Sequence, residues 1–461
     1  MPRVDVGSTQ ALCPANIDGL QWRRERCLTV TTTPAASAEA GLVRAIGVRR
    51  LTAILVNLTV GAGIFVLPGT AAVGLGPAAP FAYLACAIAM ALIVACIAAA
   101  GSRVAITGGI YAYTEVGLGP FVGFLAGALY WAAALFGGAS VAVAFVGSVA
   151  VLWPAAGQGA MRIAVIGATI GGLAWVNVRG VTLGTRVIEA VTVAKLVPLA
   201  VLVAAGVWLA PIDPMTWLPA PSVSAIGQTA ILLIFAFVGI EVALVPSGEI
   251  REPARTVPRA AFLALTFTTL LYLSIQAIAQ GVLGPAMSDY ASAPLAETAA
   301  RLLGPAGRLL VLSGTAVSMF GYLSGDMLCS PRALFAFGRD RLLPRSLASV
   351  HARFHTPWIA ILVHSVLLGA LAMTGSFAGL LVIANVATLL LYLLCAAAAY
   401  ELQRRDVRSD GTPFVLPAGP LIPIAAAAVI LWLLSQATAR EYVVTGGVVA
   451  VAATYYAIRR T

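Results

Sequence analysis

The first long apolar stretch of the chain, Leu51 to Val73, is interrupted in its middle by Gly61-Ala62-Gly63-Ile64-Phe65. Five apolar stretches later a second interruption falls at Gly239-Ile240-Glu241. Glycine lets a helix unwind, and an unwound segment exposes N–H and C=O groups. Within a bilayer such groups survive only where protein buries them or where they line a cavity. Two interrupted helices at corresponding places in two halves of a chain are the sequence mark of a secondary transporter's binding site. The pairing predicts a carrier.

Composition agrees with a membrane setting. Of 461 residues 60% are hydrophobic and 10% charged, against roughly 25% charged in soluble domains. About 20 apolar residues span a bilayer. Twelve stretches qualify, beginning near Leu51, Ala78, Phe121, Ile163, Val187, Ile226, Ala260, Leu309, Pro357, Ala378, Leu421 and Tyr442. The third follows an amphipathic lead-in around Tyr111-Ala112-Tyr113. The fold class expected is an all-α integral membrane protein of about twelve transmembrane helices.

Basic residues set the expected orientation. Of the 23 near loops or span ends, 19 fall on one side if the N-terminus is cytoplasmic; Arg162, Arg301, Arg308 and Arg440 are the exceptions. The positive-inside rule then predicts both termini in the cytoplasm and a multi-pass protein of the cytoplasmic membrane. The net charge of +10 reflects this asymmetry, and no nucleic-acid partner is inferred from it. Residues 1–45 carry no signal-type apolar core and no periodicity, and read as a disordered cytoplasmic tail or as upstream sequence from a generous start-site choice. The transmembrane domain then occupies 46–461.

Metal and disulfide chemistry find little support. The six cysteines are scattered without a CxxC pair, so neither a disulfide framework nor a metal site is expected. His351 and His355 lie four apart in an arginine-rich loop before a proline and lack a third ligand. No cofactor is expected. The sequon Asn57-Leu58-Thr59 sits inside the first span, out of reach of glycosylation.

A single lysine, Lys195, occurs among the 28 basic residues, within Val193-Ala194-Lys195-Leu196-Val197-Pro198 of the fifth span. A charge at that depth is costly and by default marks a functional group facing the bundle interior. Lysine, unlike arginine, can lose and regain a proton when desolvated. The alternative is a lysine that snorkels to the interface, toward Glu189 and Arg186. That route needs most of the side chain's reach, so the functional reading is preferred.

These residues resemble the amino acid–polyamine–organocation superfamily. The first-span signature is Gly61-Ala62-Gly63-Ile64-Phe65, with alanine where serine is common, and the sixth-span signature is Phe235-Ala236-Phe237-Val238-Gly239-Ile240-Glu241. Gly248-Glu249-Ile250-Arg251-Glu252-Pro253 resembles the loop that follows, and Ser330-Pro331-Arg332 with Gly338-Arg339-Asp340-Arg341 the end of the eighth span. Gly108-Gly109-Ile110-Tyr111-Ala112-Tyr113, Gly119-Pro120-Phe121 and Leu129-Tyr130-Trp131 follow the third-span pattern of bacterial arginine/agmatine exchangers. An asparagine of those exchangers falls at Gly138, and two tryptophans fall at Phe235 and Tyr322. Lys195 resembles the fifth-span lysine of proton-driven amino acid permeases. There it stands where sodium-driven relatives bind a cation.

The resemblance implies two inverted repeats of five spans, about 46–208 and 222–401, with helices one and six broken. Two extra helices, about 419–459, follow. An amino acid's carboxylate would meet N–H groups at Ala62, Gly63 and Ile64, where a helix begins and its dipole favours an anion. The ammonium group would meet carbonyls around Val60, Gly61 and Phe235 to Val238, including Ala236. Phe235, Met319, Tyr322, Trp131, Ala134 and Gly138 would line the side-chain pocket. An aromatic lining suits apolar side chains and, through cation–π contact, amines. Each aromatic has ordinary packing as its alternative. Glu241, just after the break, would gate, and Lys195 would couple transport to protons. Asp326, nearer the span end, is expected to pair with Arg103 or Arg332.

The partners expected are an amino acid or amine, protons and the lipid bilayer, with the chain a monomer or homodimer. Proton-driven uptake is the first reading and amino acid/amine exchange the second. A membrane-embedded enzyme would need a nucleophile–base pair or metal ligands at depth, and neither H-E-x-x-H nor G-x-S-x-G occurs. A sensor would carry a soluble signalling domain, which no loop is long enough to form.

Overall fold

The computed structural model describes residues 42–61, 63–209, 221–290, 293–375, 377–409, 411–437 and 439–460. The tail up to residue 41 and the site candidate Ala62 lie outside the described residues. Among those described, secondary structure is helical, with one isolated bridge between Ile46 and Ile250. Eight helices are long and apolar enough to cross a membrane, and Trp358–Thr374, Leu421–Leu434 and Thr445–Ile458 are shorter apolar helices.

The first span is two helices, Val48–Thr59 and Gly63–Leu75, and the second is Ala79–Gly101. The third, Pro120–Leu152, follows a lead-in helix, Ile110–Leu118; the fourth is Gly159–Val178 and the fifth Val181–Leu209. In the sixth, Val223–Leu233 tightens into the 3₁₀ turn Ile234–Phe237 before Ile240–Ala243. Pro253–Leu283, Pro294–Cys329, Trp358–Thr374 and Phe377–Arg404 form spans seven to ten, and Leu421–Leu434 and Ala439–Arg460 the last two.

The fifth span shows why these helices pack as they do. Its buried positions, Ile188, Thr192, Lys195, Leu199, Leu202 and Gly206, recur every three or four residues and so share one face. Val193, Val197 and Trp208, on other faces, are exposed. Thr192 and Lys195 turn inward among apolar residues while the outward faces named here are apolar too, the arrangement lipid demands.

Packing relations repeat between spans one to five and six to ten. Span five packs along span eight as span ten packs along span three, and span one lies on span seven as span six lies on span two. The sequence echoes this at one junction. Gly119, at φ 97°, precedes Pro120 and separates the lead-in helix from the third span. Gly304, at φ 69°, precedes Pro305 and bends the eighth span at the equivalent point. At both places glycine supplies the left-handed φ and proline starts the next helix. Five is odd, so a second copy of the unit enters the bilayer from the opposite side.

The face holding the N-terminal segment is latched. Ala45 and Ile46 donate their N–H groups to the Glu249 carbonyl at 3.0 Å each, and Arg251 N–H donates to the Ile46 carbonyl at 2.9 Å. The Glu249 side chain takes both arms of Arg332, and both side chains are buried. Arg332 thus pairs with Glu249, while Arg103 donates to the Val407 carbonyl at 3.0 Å and lies 3.8 Å from Asp406. Neither pairs with Asp326. Removing one member of a buried pair leaves the other charge uncompensated, at about 3–5 kcal/mol. Glu249→Gln is therefore expected to lower the thermal midpoint of the purified protein by several degrees, and an unchanged midpoint would count against a closed latch.

Candidate functional site

The two interruptions face each other at the centre of the bundle. After Thr59 the backbone leaves the helix at Val60, φ −78° and ψ 72°. Gly63 and Ile64 begin the next helix, so their N–H groups have no carbonyl one turn earlier to bond. A Cβ on Gly63 would stand 3.2 Å from the Ala236 backbone, and one on Gly239 would stand 2.8 Å from the Leu58 carbonyl oxygen. Gly239 also has φ +121°, a conformation side-chain-bearing residues rarely adopt. The glycines are present because two backbones touch here. Tyr272 of the seventh span ties them together, within 2.9 Å of both the Thr59 and Ala236 carbonyls.

Lys195 lies directly behind the first break and is fully buried. Its Nζ donates to the carbonyls of Asn57 and Val60, each at 2.5 Å. Ser318 Oγ is 3.0 Å from the Val60 carbonyl and 3.1 Å from that of Gly61, and Asn57 Nδ2 donates to the Gly321 carbonyl at 2.5 Å. Spans one, five and eight are thus joined through backbone carbonyls around a single ammonium group. Snorkelling is ruled out by this burial, and Glu189 pairs instead with Arg49 and Arg50 at 3.5 and 3.6 Å. The Val60 carbonyl thus accepts from Lys195 and lies within reach of the Ser318 hydroxyl, which the Gly61 carbonyl shares.

Ala134, Phe235, Val238 and Tyr322 share one cavity with Glu241, together with Tyr130 and Thr388. Its volume is about 20 Å³, room for a single water and far too small for an amino acid. Gly61 abuts it: a Cβ there would lie 3.6 Å from the Tyr322 ring. Glu241 is buried, accepts from the Gly239 N–H at 3.1 Å, and takes the hydroxyl of Tyr392 on the tenth span. Its carboxylate therefore ties the second break to the tenth span.

Three candidates sit elsewhere. Met319 lines a second cavity of about 260 Å³ with Phe65, Ser148 and Thr315. Trp131 donates its indole N–H to His364 Nδ1 at 3.3 Å. A Cβ on Gly138 would come within 2.8 Å of Asp326 Oδ2, so this glycine makes room for a carboxylate. Sequence reasoning missed Asn57, Tyr272, Ser318 and His364. The only available signal was their polarity inside apolar stretches, and that does not identify partners 38 to 264 positions away.

Opposed broken helices with a small buried cavity between them define a carrier. The chain belongs to the amino acid permease family, which it matches over residues 46–455. It is thus a membrane-embedded secondary transporter of amino acids. It is 33% identical over 400 residues to an uncharacterised transporter of Mycobacterium tuberculosis, covering 83% of this chain and 88% of that one. It is 29% identical to the serine/threonine exchanger SteT of Bacillus subtilis, covering 84% of this chain and 90% of that one. It is 28% identical to the branched-chain amino acid permease BcaP of the same organism, covering 87% and 89%.

Proposed function

We propose that the chain carries neutral amino acids across the cytoplasmic membrane by alternating access coupled to protons, and that it is not an enzyme. The observation that carries this reading is Lys195, whose ammonium group bridges Asn57 and Val60 to the fifth span. A cation at this point holds the broken helix against the eighth span. Loss of its proton removes the charge that attracts both carbonyls and frees the first span to move. Repeats at about 46–208 and 222–401 rock against one another, the helices at about 419–459 remain outside the motion, and both termini are cytoplasmic. The unit of transport is a single chain, alone or in a homodimer.

Substrate recognition falls mainly to backbone. The carboxylate binds at the N–H groups that open the helix at Gly63 and Ile64, where the helix dipole also favours it. The ammonium group binds carbonyls of the sixth-span break between Phe235 and Val238. Phe235, Tyr322 and Ala134 meet the side chain. Among the described residues Glu241 is the only acidic group lining that cavity, and it is already engaged by Tyr392, so a cationic side chain finds no free counter-charge there.

The expected result in a thermal-shift panel on purified protein is that serine, threonine, alanine, leucine and valine stabilise at least as well as arginine or agmatine. A ligand at a hundred times its Kd stabilises by about 2.7 kcal/mol, a shift of a few degrees. Selective stabilisation by arginine or agmatine would overturn the neutral-substrate reading. Exchange is the second reading, favoured by similarity to a serine/threonine exchanger. A pH gradient driving net accumulation into substrate-free vesicles separates the two.

A further inference from the structure

A further buried ionisable pair, on the eighth and ninth spans, has no part in the scheme above. Asp326 of the eighth span and His364 of the ninth are both fully buried, with His364 Nε2 3.2 Å from Asp326 Oδ2. Ser330 Oγ lies 2.5 Å from Asp326 Oδ1, and Tyr130 OH lies 3.0 Å from Ser330 Oγ. Tyr130 lines the small cavity. An unbroken hydrogen-bonded row thus runs from Trp131 through His364, Asp326 and Ser330 to Tyr130.

The row fixes its own proton positions at one end. An indole N–H only donates, so Trp131 makes His364 Nδ1 an acceptor and leaves the ring proton on Nε2, pointing at Asp326. With the imidazole neutral and Asp326 ionised, the pair carries one negative charge. The partner of Asp326 is His364; its charge also acts on Tyr130, Tyr322 and Cys329, with Glu241 acting on the same two tyrosines and the Arg332–Glu249 pair on the same cysteine. A net charge at this depth is costly, and one bound proton neutralises it.

We propose that Asp326 and His364 form a proton-binding site that sets the hydrogen-bonding character of the substrate cavity through Ser330 and Tyr130. The proposal deepens the proton-coupled reading and rests on it. In the unprotonated state Tyr130 donates to Ser330 and Ser330 donates to Asp326 Oδ1, which leaves Tyr130 able only to accept from the cavity. A proton added at Oδ1 reverses both bonds. Asp326 then donates to Ser330, Ser330 donates to Tyr130, and the Tyr130 hydrogen turns toward the cavity. One proton enters, no bond between heavy atoms changes, and the cavity gains a donor. Nδ1 cannot take the proton without breaking its bond to Trp131. The missing side chain at Gly138 leaves room for Asp326 beside the third span.

Two measurements on the full-length purified protein test this. Infrared difference spectra across about pH 5 to 8 should show a carboxylic acid C=O band that grows on acidification, is absent from Asp326→Asn and persists in Glu241→Gln. If Asp326→Asn does not fold, Ser330→Ala serves, because losing the acid's hydrogen-bond partner should displace the band. A band indifferent to both Asp326 and Ser330, or none at all, overturns the site. These spectra need no transport, so their failure is distinct from failure of the carrier reading. In proteoliposomes, L-serine and L-leucine serve as probes. For at least one of them the apparent affinity should change about fivefold over that range, as expected for one hydrogen bond, and Ser330→Ala and Tyr130→Phe should flatten the change while Lys195 is untouched. Wild-type pH dependence in both variants would overturn the link to the cavity.

Discussion

Lys195→Ala is expected to abolish accumulation driven by a pH gradient while leaving equilibrium exchange of labelled substrate measurable. The substitution removes the Lys195 donor from the Asn57 and Val60 carbonyls. A buried carbonyl left without a donor costs about 1–3 kcal/mol, and 1.4 kcal/mol is tenfold in an equilibrium. Accumulation should therefore fall by about tenfold or more, and it should be independent of sodium in the wild type. Lys195→Arg should not rescue it, because a guanidinium group keeps its charge. Wild-type accumulation by Lys195→Arg across about pH 5 to 8 would mean that a fixed charge suffices, and the proton-release role would be wrong.

Gly63→Leu is expected to eliminate transport, and Gly239→Val to lower stability as well. At position 63 the new side chain grows from a Cβ already 3.2 Å from the Ala236 backbone and from Leu67. It fills the space into which the N–H groups of Gly63 and Ile64 open and wedges the two breaks apart. At position 239 the clash is with a carbonyl oxygen at 2.8 Å, and φ is +121°. Backbone strain of this kind costs about 1–3 kcal/mol, before the displacement of Leu58. Uptake assays on Gly63→Leu, and a thermal midpoint for Gly239→Val against wild type, check the two claims. Full uptake by Gly63→Leu would move the site away from the first break.

Both experiments act on a closed state. The cavity between the breaks holds one water's volume, about 20 Å³, and the N-terminal face is latched by Ile46, Glu249 and Arg332. On the reading proposed above, substrate entry displaces the broken helices relative to spans three, eight and ten. The groups that would resist or license that movement are the ones that join spans: Lys195, Glu241 with Tyr392, and Asp326 with His364.

The sequence alone determined the membrane class, the multi-span helical architecture and the positions of both breaks. Those signals are local. Apolar runs of about 20 residues report spans, and glycines at 61, 63 and 239 report where a helix cannot continue. The lone lysine was legible for the same reason, since a charge inside an apolar run is visible without knowing its neighbours. The tertiary structure decided what each group touches. It gave Lys195 its two carbonyls from the first span, paired Asp326 with His364 rather than an arginine, and turned Gly138 from a lost amide into space for a carboxylate. It also moved Met319 to another cavity. Hydrogen bonds and close contacts reach a few ångströms in space but join residues tens to hundreds of positions apart. Only the packing of the helices brings such partners together.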